Sequence, residues 1–155
     1  MLCRFLQKAS KAVDFELKII ASKHLTPIDG VRMSFVDWST ETEVQELKTC
    51  HIGIMPLTDD DFSKGKSAFK LIQYLGAGLP AVASPIGENC KVITPETGFL
   101  ADSAEEWIHA IRTLAGDRTL RQSMSEAALV RAYDYSQARY TAEFEKFLCG
   151  CLFRI

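Results

Sequence analysis

The sequence has no long apolar run, no concentrated stretch of basic residues and no cysteine pattern typical of a disulfide framework. No segment comes near the roughly 18 to 20 apolar residues that a membrane-spanning helix needs. Residues 1–11 carry only a short apolar patch, without the cleavage site of a secretory signal. With 18 basic against 20 acidic side chains, we expect no nucleic-acid partner, because such binding depends on neutralising phosphates.

The cysteines predict a reducing compartment. There are five, an odd number scattered along the chain: Cys3, Cys50, Cys90, Cys149 and Cys151. This usage favours buried free thiols over disulfides, and therefore a cytoplasmic protein.

The pattern that is present predicts a single α/β domain spanning residues 1–155. Short apolar runs at 17–21, 31–36, 52–55, 81–84 and 98–101 predict strands. Segments of helical periodicity alternate with them at 2–13, 42–49, 67–77 and 88–93, and continue at 104–115, 118–133 and 137–148. Nearly continuous apolar strands are typical of a parallel sheet covered on both faces. We therefore expect a Rossmann-like, doubly wound parallel sheet with a helical C-terminal tail.

Two pairs of residues have the spacing of helix-capping boxes, Thr40 with Glu43 and Ser103 with Glu106. The second opens a segment in which apolar residues recur at helical spacing and predict a buried stripe, formed by Trp107, Ile108, Ile111 and Leu114.

The segment from Gly65 to Leu75 concentrates the candidate binding residues. It follows a strand and a polar loop and enters a helix, and free amides at such a helix start attract anions. On one helix, Lys66, Lys70 and Gln73 would share a stripe, and Phe69, Ile72 and Leu75 would share the anchoring stripe. The alternative is that both lysines are ordinary solvated side chains. Neither a Walker loop nor a Gly-x-Gly-x-x-Gly motif is present.

Three other features have weaker functional interpretations. Asp59, Asp60 and Asp61 suit a hard cation, but a solvated loop is the favoured interpretation. Cys149 and Cys151 lack a second pair or a histidine to complete a metal site. We expect surface or edge positions for the three histidines, which are His24, His51 and His109.

Ordered segments between Trp38 and Trp107 resemble the C-terminal, donor-binding domain of GT-B glycosyltransferases of family 4, also described as glycosyl transferases group 1. The matching segments are residues 51–57 (HIGIMPL), 64–80 (KGKSAFKLIQYLGAGLP), 83–87 (ASPIG), 97–100 (TGFL) and 105–107 (EEW). Each segment is a weak signal, but their order and spacing together are specific.

The resemblance implies a metal-independent hexosyltransferase that uses a UDP- or GDP-linked sugar as its substrate, with no cofactor. The family's second acidic residue, which holds the ribose, falls at Gln73, and its first falls at Gly65. Gln73 retains hydrogen-bonding capacity, whereas Gly65 offers only backbone. A variant donor site accommodates these two departures.

In that site, the resemblance assigns the diphosphate to the amides of residues 66–69, which are Lys66, Ser67, Ala68 and Phe69. The ammonium groups of Lys66 and Lys70 would stabilise the leaving group. Asp37 and Trp38 fall where the nucleobase edge is usually met. The resemblance assigns the acceptor site and any general base to an N-terminal domain, so no catalytic base is named in this chain.

The resemblance also implies that the first central strand of the sheet is missing. Either the strands at 17–21 and 52–55 close up beside each other, or another segment fills the gap. Candidate partners are the N-terminal acceptor domain, or a second copy bound through the open sheet centre or the C-terminal helix. Membrane contact would come only through the acceptor. A non-catalytic interaction module that uses its apolar C-terminal helix is the alternative function; the apolar residues concerned are Phe144, Phe147, Leu148, Leu152, Phe153 and Ile155.

Overall fold

The computed structural model describes residues 2–152, and the side chains of residues 5–146. Helices and strands alternate in the first two thirds of the chain, and three helices follow. In chain order the elements are α1 (Leu2–Ala12), β1 (Glu16–Ala21), β2 (Arg32–Asp37), α2 (Glu43–Lys48), β3 (Gly53–Met55), α3 (Asp61–Lys64), α4 (Phe69–Gly76), β4 (Ala81–Ala83), α5 (Asn89–Val92), β5 (Gly98–Leu100), α6 (Ala104–Gly116), α7 (Arg118–Tyr133) and α8 (Gln137–Leu152).

The five strands form two parallel sheets. β1 pairs with β2, Leu17 lying opposite Met33, and β4 pairs with both β3 and β5. The predicted α/β fold with parallel strands and a helical tail is confirmed, and no strand among the described residues lies between β1 and β3. The expectation that the first and third strands might close up is wrong, because β1 and β3 are not paired.

Two apolar clusters hold the helices against the strands. In the first, the ring of Phe5 on α1 stacks on Trp107 of α6 with centroids 4.7 Å apart, and Val82 lies against both helices. The predicted stripe on α6 is confirmed, with Trp107, Ile111 and Leu114 buried. The second cluster packs α4 and α7 against β4 and contains Leu71, Leu75, Ala81, Ala83 and Ala128.

One of the two predicted capping boxes forms. Ser103 Oγ accepts from the amide of Glu106, whose carboxylate accepts from the amide of Ser103 at 3.0 Å. The box predicted for Thr40 and Glu43 is wrong. α2 begins only at Glu43, whose amide donates to the Ser39 carbonyl at 3.0 Å, and the Glu43 carboxylate is bound elsewhere.

The described cysteines are free thiols, in agreement with the predicted reduced state. Cys50 is half-buried, and desolvation raises the pKa of its thiol above the ordinary 9.0. Cys90 is exposed, contrary to expectation, because the short helix α5 turns Asn89 and Val92 inward instead. Cys3, Cys149 and Cys151 lie outside the residues whose side chains are described. Within residues 2–152, no helix combines the length and hydropathy needed to cross a bilayer.

Gly53 in β3 lies directly under the Tyr74 side chain of α4. A Cβ added there would lie 2.4 Å from Cδ2 of Tyr74 on α4. We therefore expect Gly53→Ala to lower the free energy of unfolding by about 1 to 3 kcal/mol through overpacking. Urea denaturation measures the change.

Gly116→Ala is the matched control, because a Cβ at Gly116 meets nothing within 4 Å. It should leave stability unchanged or raise it by up to about 1 kcal/mol, since glycine in a helix costs entropy. Equal effects of the two substitutions would contradict this account of Gly53.

Candidate functional site

The candidate site lies where the strands end. β2 ends at Asp37, β3 at Met55 and β4 at Ala83, and ligands in open α/β folds bind at this edge. Ser84 fixes two of the loops: its Oγ accepts from the Leu57 amide at 2.9 Å, and its carbonyl accepts from Asn89 Nδ2 at 3.0 Å. Ser84 and Asn89 are both buried, so the loops following β3 and β4 are tied together.

The segment between β3 and α4, which the sequence predicts as a polar loop, contains a single helical turn, α3. Asp60 caps it by accepting from the Ser63 amide at 2.7 Å, and Asp59 pairs with Lys64 at 2.9 Å. A hydrogen bond from the Thr58 hydroxyl, followed by the capping contact with the Ser63 amide, holds the pKa of Asp60 below its ordinary 3.8. Asp59, Asp60 and Asp61 are all exposed, as expected of a solvated loop. Among the described residues, no three potential metal ligands form a cluster.

The residues between α3 and α4 form a tight connection. Gly65 is the exposed C-cap of α3, and the Lys66 ammonium lies 5.0 Å from the centroid of the Phe62 ring. α4 begins only at Phe69, so the prediction that Lys66 shares a helical stripe with Lys70 is wrong. The left-handed conformation of Ala68 separates Lys66 from the start of α4.

Ala68 is the point of backbone strain in the site. Its φ of 53° and ψ of 25° are left-handed, a conformation that costs a residue other than glycine roughly 1 to 2 kcal/mol. Ala68 is also 1% exposed, so its methyl group anchors the turn in the core. Because no side chain caps α4, the amides of Phe69 and Lys70 stay open to an anion, whereas the Leu71 amide donates to the Ala68 carbonyl at 2.9 Å.

α4 buries only part of the predicted stripe, with Leu75 fully buried and Ile72 half-buried. Leu71 and Leu75 are fully buried, whereas Phe69 is 60% exposed. The prediction that Phe69 anchors the helix is therefore wrong. The inward-facing residues are Ala68, Leu71 and Leu75, and Ser67 and Phe69 are exposed.

Glu43, at the start of α2, joins the predicted site residues on α4. Its Oε1 accepts from Lys70 Nζ at 2.8 Å, and its Oε2 accepts from Gln73 Nε2 at 2.9 Å. The Lys70 hydrogen bond is the main reason that the pKa of Glu43 lies below its ordinary 4.5; Trp38 and Gln73 act in the same direction, and partial burial opposes them.

Both α4 residues keep unused hydrogen-bonding capacity. An ammonium has three donors; Lys70 gives one to Glu43, and its side chain is 51% exposed. Gln73 Oε1 is buried, and no partner for it occurs among the described residues. A buried acceptor without a donor is costly, so this oxygen is suited to a ligand hydroxyl.

Asp37 is the last residue of β2, and Trp38, which follows it, interacts with Glu43. Trp38 is 43% exposed, which leaves its indole available for stacking. Asp37 Oδ1 lies 3.2 Å from Nε2 of His24, whose ring stacks on Phe35. In the described residues, Trp38, Lys70 and Gln73 all interact with the Glu43 carboxylate. The three histidines are on the surface, as expected.

Sequence reasoning missed Glu43 and Gly87 as parts of the site. The sequence pattern assigns Glu43 to a capping box. The signal for its place in the site is a carboxylate in the first helical turn after the second strand. Gly87 has φ +55°, and a Cβ there would lie 2.6 Å from the Lys64 carbonyl oxygen. The loop after β4 therefore supports the backbone that leads to Gly65 and Lys66.

The family described as Glycosyl transferases group 1 matches residues 2–117, which include every strand and the whole candidate site. The chain belongs to the glycosyl transferases group 1 family. No curated protein matches it closely enough to count as a relative. Membership supports glycosyl transfer as the general reaction, and the Rossmann-like arrangement of parallel strands and helices agrees with a glycosyltransferase domain.

The pH dependence of stability tests the contacts of Glu43. Because the folded pKa is lowered, the ionised carboxylate stabilises the fold fully above its ordinary 4.5 and loses this effect as pH falls through the folded value. Glu43→Gln should therefore be less stable than wild type at neutral pH, and the difference should shrink below about pH 4.5. Urea unfolding between pH 7 and 3 measures it.

Glu145→Gln serves as the control, since Glu145 is an exposed glutamate on α8. Its stability should follow wild type across the range. A wild-type advantage over Glu43→Gln that stays constant down to pH 3 would contradict the assigned contacts.

Proposed function

We propose that this chain is the donor-binding domain of a GT-B glycosyltransferase of family 4, and that it binds a UDP- or GDP-linked sugar. One observation carries the proposal: an uncapped helix start, a lysine with free donors and a buried glutamine oxygen without a partner converge beside Trp38. A nucleoside diphosphate offers an anion to the helix start and the lysine, ribose hydroxyls to the glutamine oxygen and a flat base to Trp38.

In this proposal the diphosphate lies at the start of α4. Open amides and the helix dipole favour negative charge there, and the left-handed Ala68 immediately precedes them. Lys70 approaches from the first turn, and Lys66 lies on the preceding connection. Exposed Gly65 and Ser67 leave the backbone around them accessible.

In this proposal the ribose lies at Gln73 and the base lies at the end of β2. A ribose hydroxyl donating to Gln73 Oε1 would satisfy the acceptor that the described residues leave unpaired. Trp38 and Asp37, at the end of the neighbouring strand, meet the base by stacking and by hydrogen bonding. Gln73 therefore binds the ribose through its amide oxygen, in place of the carboxylate that the family has at this position.

The chemistry assigned to this domain is electrostatic. As the bond between the sugar and the diphosphate breaks, negative charge grows on the departing diphosphate, and fixed cations stabilise it. Lys66 and Lys70 supply that charge in place of a metal ion. The acceptor site and the general base that deprotonates the acceptor hydroxyl belong to a second domain that faces the donor site. This chain alone therefore binds the donor without transferring the sugar.

Nucleotide binding tests the proposal. UDP or GDP should raise the melting temperature of the protein, because a ligand at about 100 times its Kd adds roughly 2.7 kcal/mol of stability. Lys70→Ala should weaken that nucleotide at least tenfold, whereas Lys48→Ala, at an exposed lysine on α2, should leave binding unchanged. Isothermal titration calorimetry gives the affinities.

Gln73→Ala separates the ribose contact from the phosphate contact. It should weaken UDP or GDP at least fivefold and leave the affinity for pyrophosphate near wild type. Equal losses for both ligands would contradict the ribose assignment, and a folded protein that binds no nucleotide would overturn the proposed function.

The alternative is an interaction module that uses α8. Tyr140 and Phe144 are 56% and 60% exposed and lie four residues apart, on one face of that helix. Phe147, Leu148, Leu152, Phe153 and Ile155 lie outside the described side chains. A folded protein that ignores every nucleotide but loses a protein partner on Phe144→Ser would favour this function.

A further inference from the structure

The Glu43 carboxylate is held at both of its oxygens. Lys70 Nζ donates to Oε1 at 2.8 Å, and Gln73 Nε2 donates to Oε2 at 2.9 Å. The Glu43 side chain is only 12% exposed, and Trp38 interacts with it as well. The backbone of Glu43 is also fixed, because α2 begins at this residue and its amide donates to the Ser39 carbonyl. The carboxylate is therefore held in one orientation.

An ionised carboxylate can only accept hydrogen bonds. The Lys70 hydrogen bond is the main reason that the pKa of Glu43 lies below its ordinary 4.5, so the group is ionised at neutral pH. Of the two ends of the Gln73 amide, only the amino group can then face Glu43. The amide oxygen, Oε1, must point the other way.

Gln73 consequently presents an acceptor to the site. Its Oε1 is buried, and no donor for this oxygen occurs among the described residues. A buried oxygen of this kind favours a ligand group that donates to it and penalises a group that cannot. A site built around such an oxygen rejects a ligand without the donor more strongly than an apolar pocket does.

We propose that Glu43 is the positioning residue that fixes the Gln73 amide as an acceptor, and that it thereby makes the site selective for a ligand that donates a hydrogen bond at this position. The inference rests on the proposed function, in which a ribose hydroxyl meets Gln73 Oε1. Fluorine in place of that hydroxyl has a similar size but no hydrogen to donate, so it leaves the oxygen unpaired. Glu43 acts through Gln73 and does not need to touch the ligand.

Lys70 decides what happens when Glu43 is replaced. In Glu43→Gln only one side-chain oxygen remains at position 43, and the Lys70 ammonium, which can only donate, takes it. The amino group of the new side chain then faces Gln73. The Gln73 amide turns its oxygen toward that group and presents its own amino group to the ligand. Fluorine no longer meets an unpaired oxygen, so the selectivity is lost.

The test compares whichever of UDP and GDP binds with its 2′-fluoro and 3′-fluoro deoxy analogues, by isothermal titration calorimetry. In the wild-type protein, the analogue that lacks the bound hydroxyl should bind at least tenfold more weakly than the parent nucleotide. Glu43→Gln should reduce this ratio to less than threefold. Glu46→Gln is the matched control and should keep the wild-type ratio, since Glu46 lies on the same helix but binds Lys18 at 2.9 Å.

The double variant Glu43→Gln/Gln73→Glu separates positioning from a structural role. It exchanges the two side chains, so a carboxylate at position 73 offers the ligand an acceptor whichever way it is turned. The ratio of at least tenfold should return. A merely structural role for Glu43 predicts that the parent and the analogue weaken equally in Glu43→Gln. A wild-type ratio in that single variant, or a double variant that does not regain the ratio, would overturn the proposal.

Failure of this inference is distinguishable from failure of the proposed function. If the wild-type protein binds UDP or GDP and tolerates fluorine equally at both ribose positions, Gln73 is not an oriented acceptor, and the inference fails while donor binding stands. A folded protein that binds neither nucleotide overturns the proposed function, and this inference with it.

Discussion

The parallel ladder of β3, β4 and β5 is the constraint on which the rest of the structure depends. The Gly53 amide donates to the Pro80 carbonyl at 3.0 Å, and the Ser84 amide donates to the Met55 carbonyl at 3.2 Å. A side chain at Gly98 would lie 1.9 Å from the Ala81 carbonyl oxygen, so β5 approaches β4 only with glycine there. This ladder fixes the ends of β3 and β4, and the loops after them carry the candidate site.

The placement of α4 links the ladder to chemistry. Its buried face, with Leu71 and Leu75, packs on β4, while the left-handed turn at Ala68 brings the open helix start to the strand ends. The same helix sends Lys70 and Gln73 toward Glu43, which comes from the other side of the split sheet. One carboxylate therefore connects the two halves of the fold at the proposed donor site.

Most of the fold could be predicted from the sequence because it depends on local patterns. Apolar runs located all five strands, and the stripe of Trp107, Ile111 and Leu114 gave the buried face of α6. The site could be predicted less well. Periodicity cannot show that Ala68 adopts a left-handed conformation. The predictions that Phe69 is buried and that Lys66 lies on the helix were therefore wrong. The Glu43 contacts span 27 and 30 residues, and no local spacing reveals them.

The split sheet and the donor site meet in the same region, because Glu43, Lys70 and Gln73 also line the cleft between β1 and β3. That cleft has a volume of about 690 Å³. The proposed donor site therefore opens onto the gap between the two sheets.

The most direct test of the donor-binding claim is a titration of isotope-labelled protein with UDP and GDP, followed by two-dimensional NMR. The account predicts saturable shifts at the backbone amides of Ala68, Phe69 and Lys70 and at the side-chain amide of Gln73, with pyrophosphate moving only the first three. Unchanged signals at all four groups, at millimolar nucleotide in a folded protein, would contradict it.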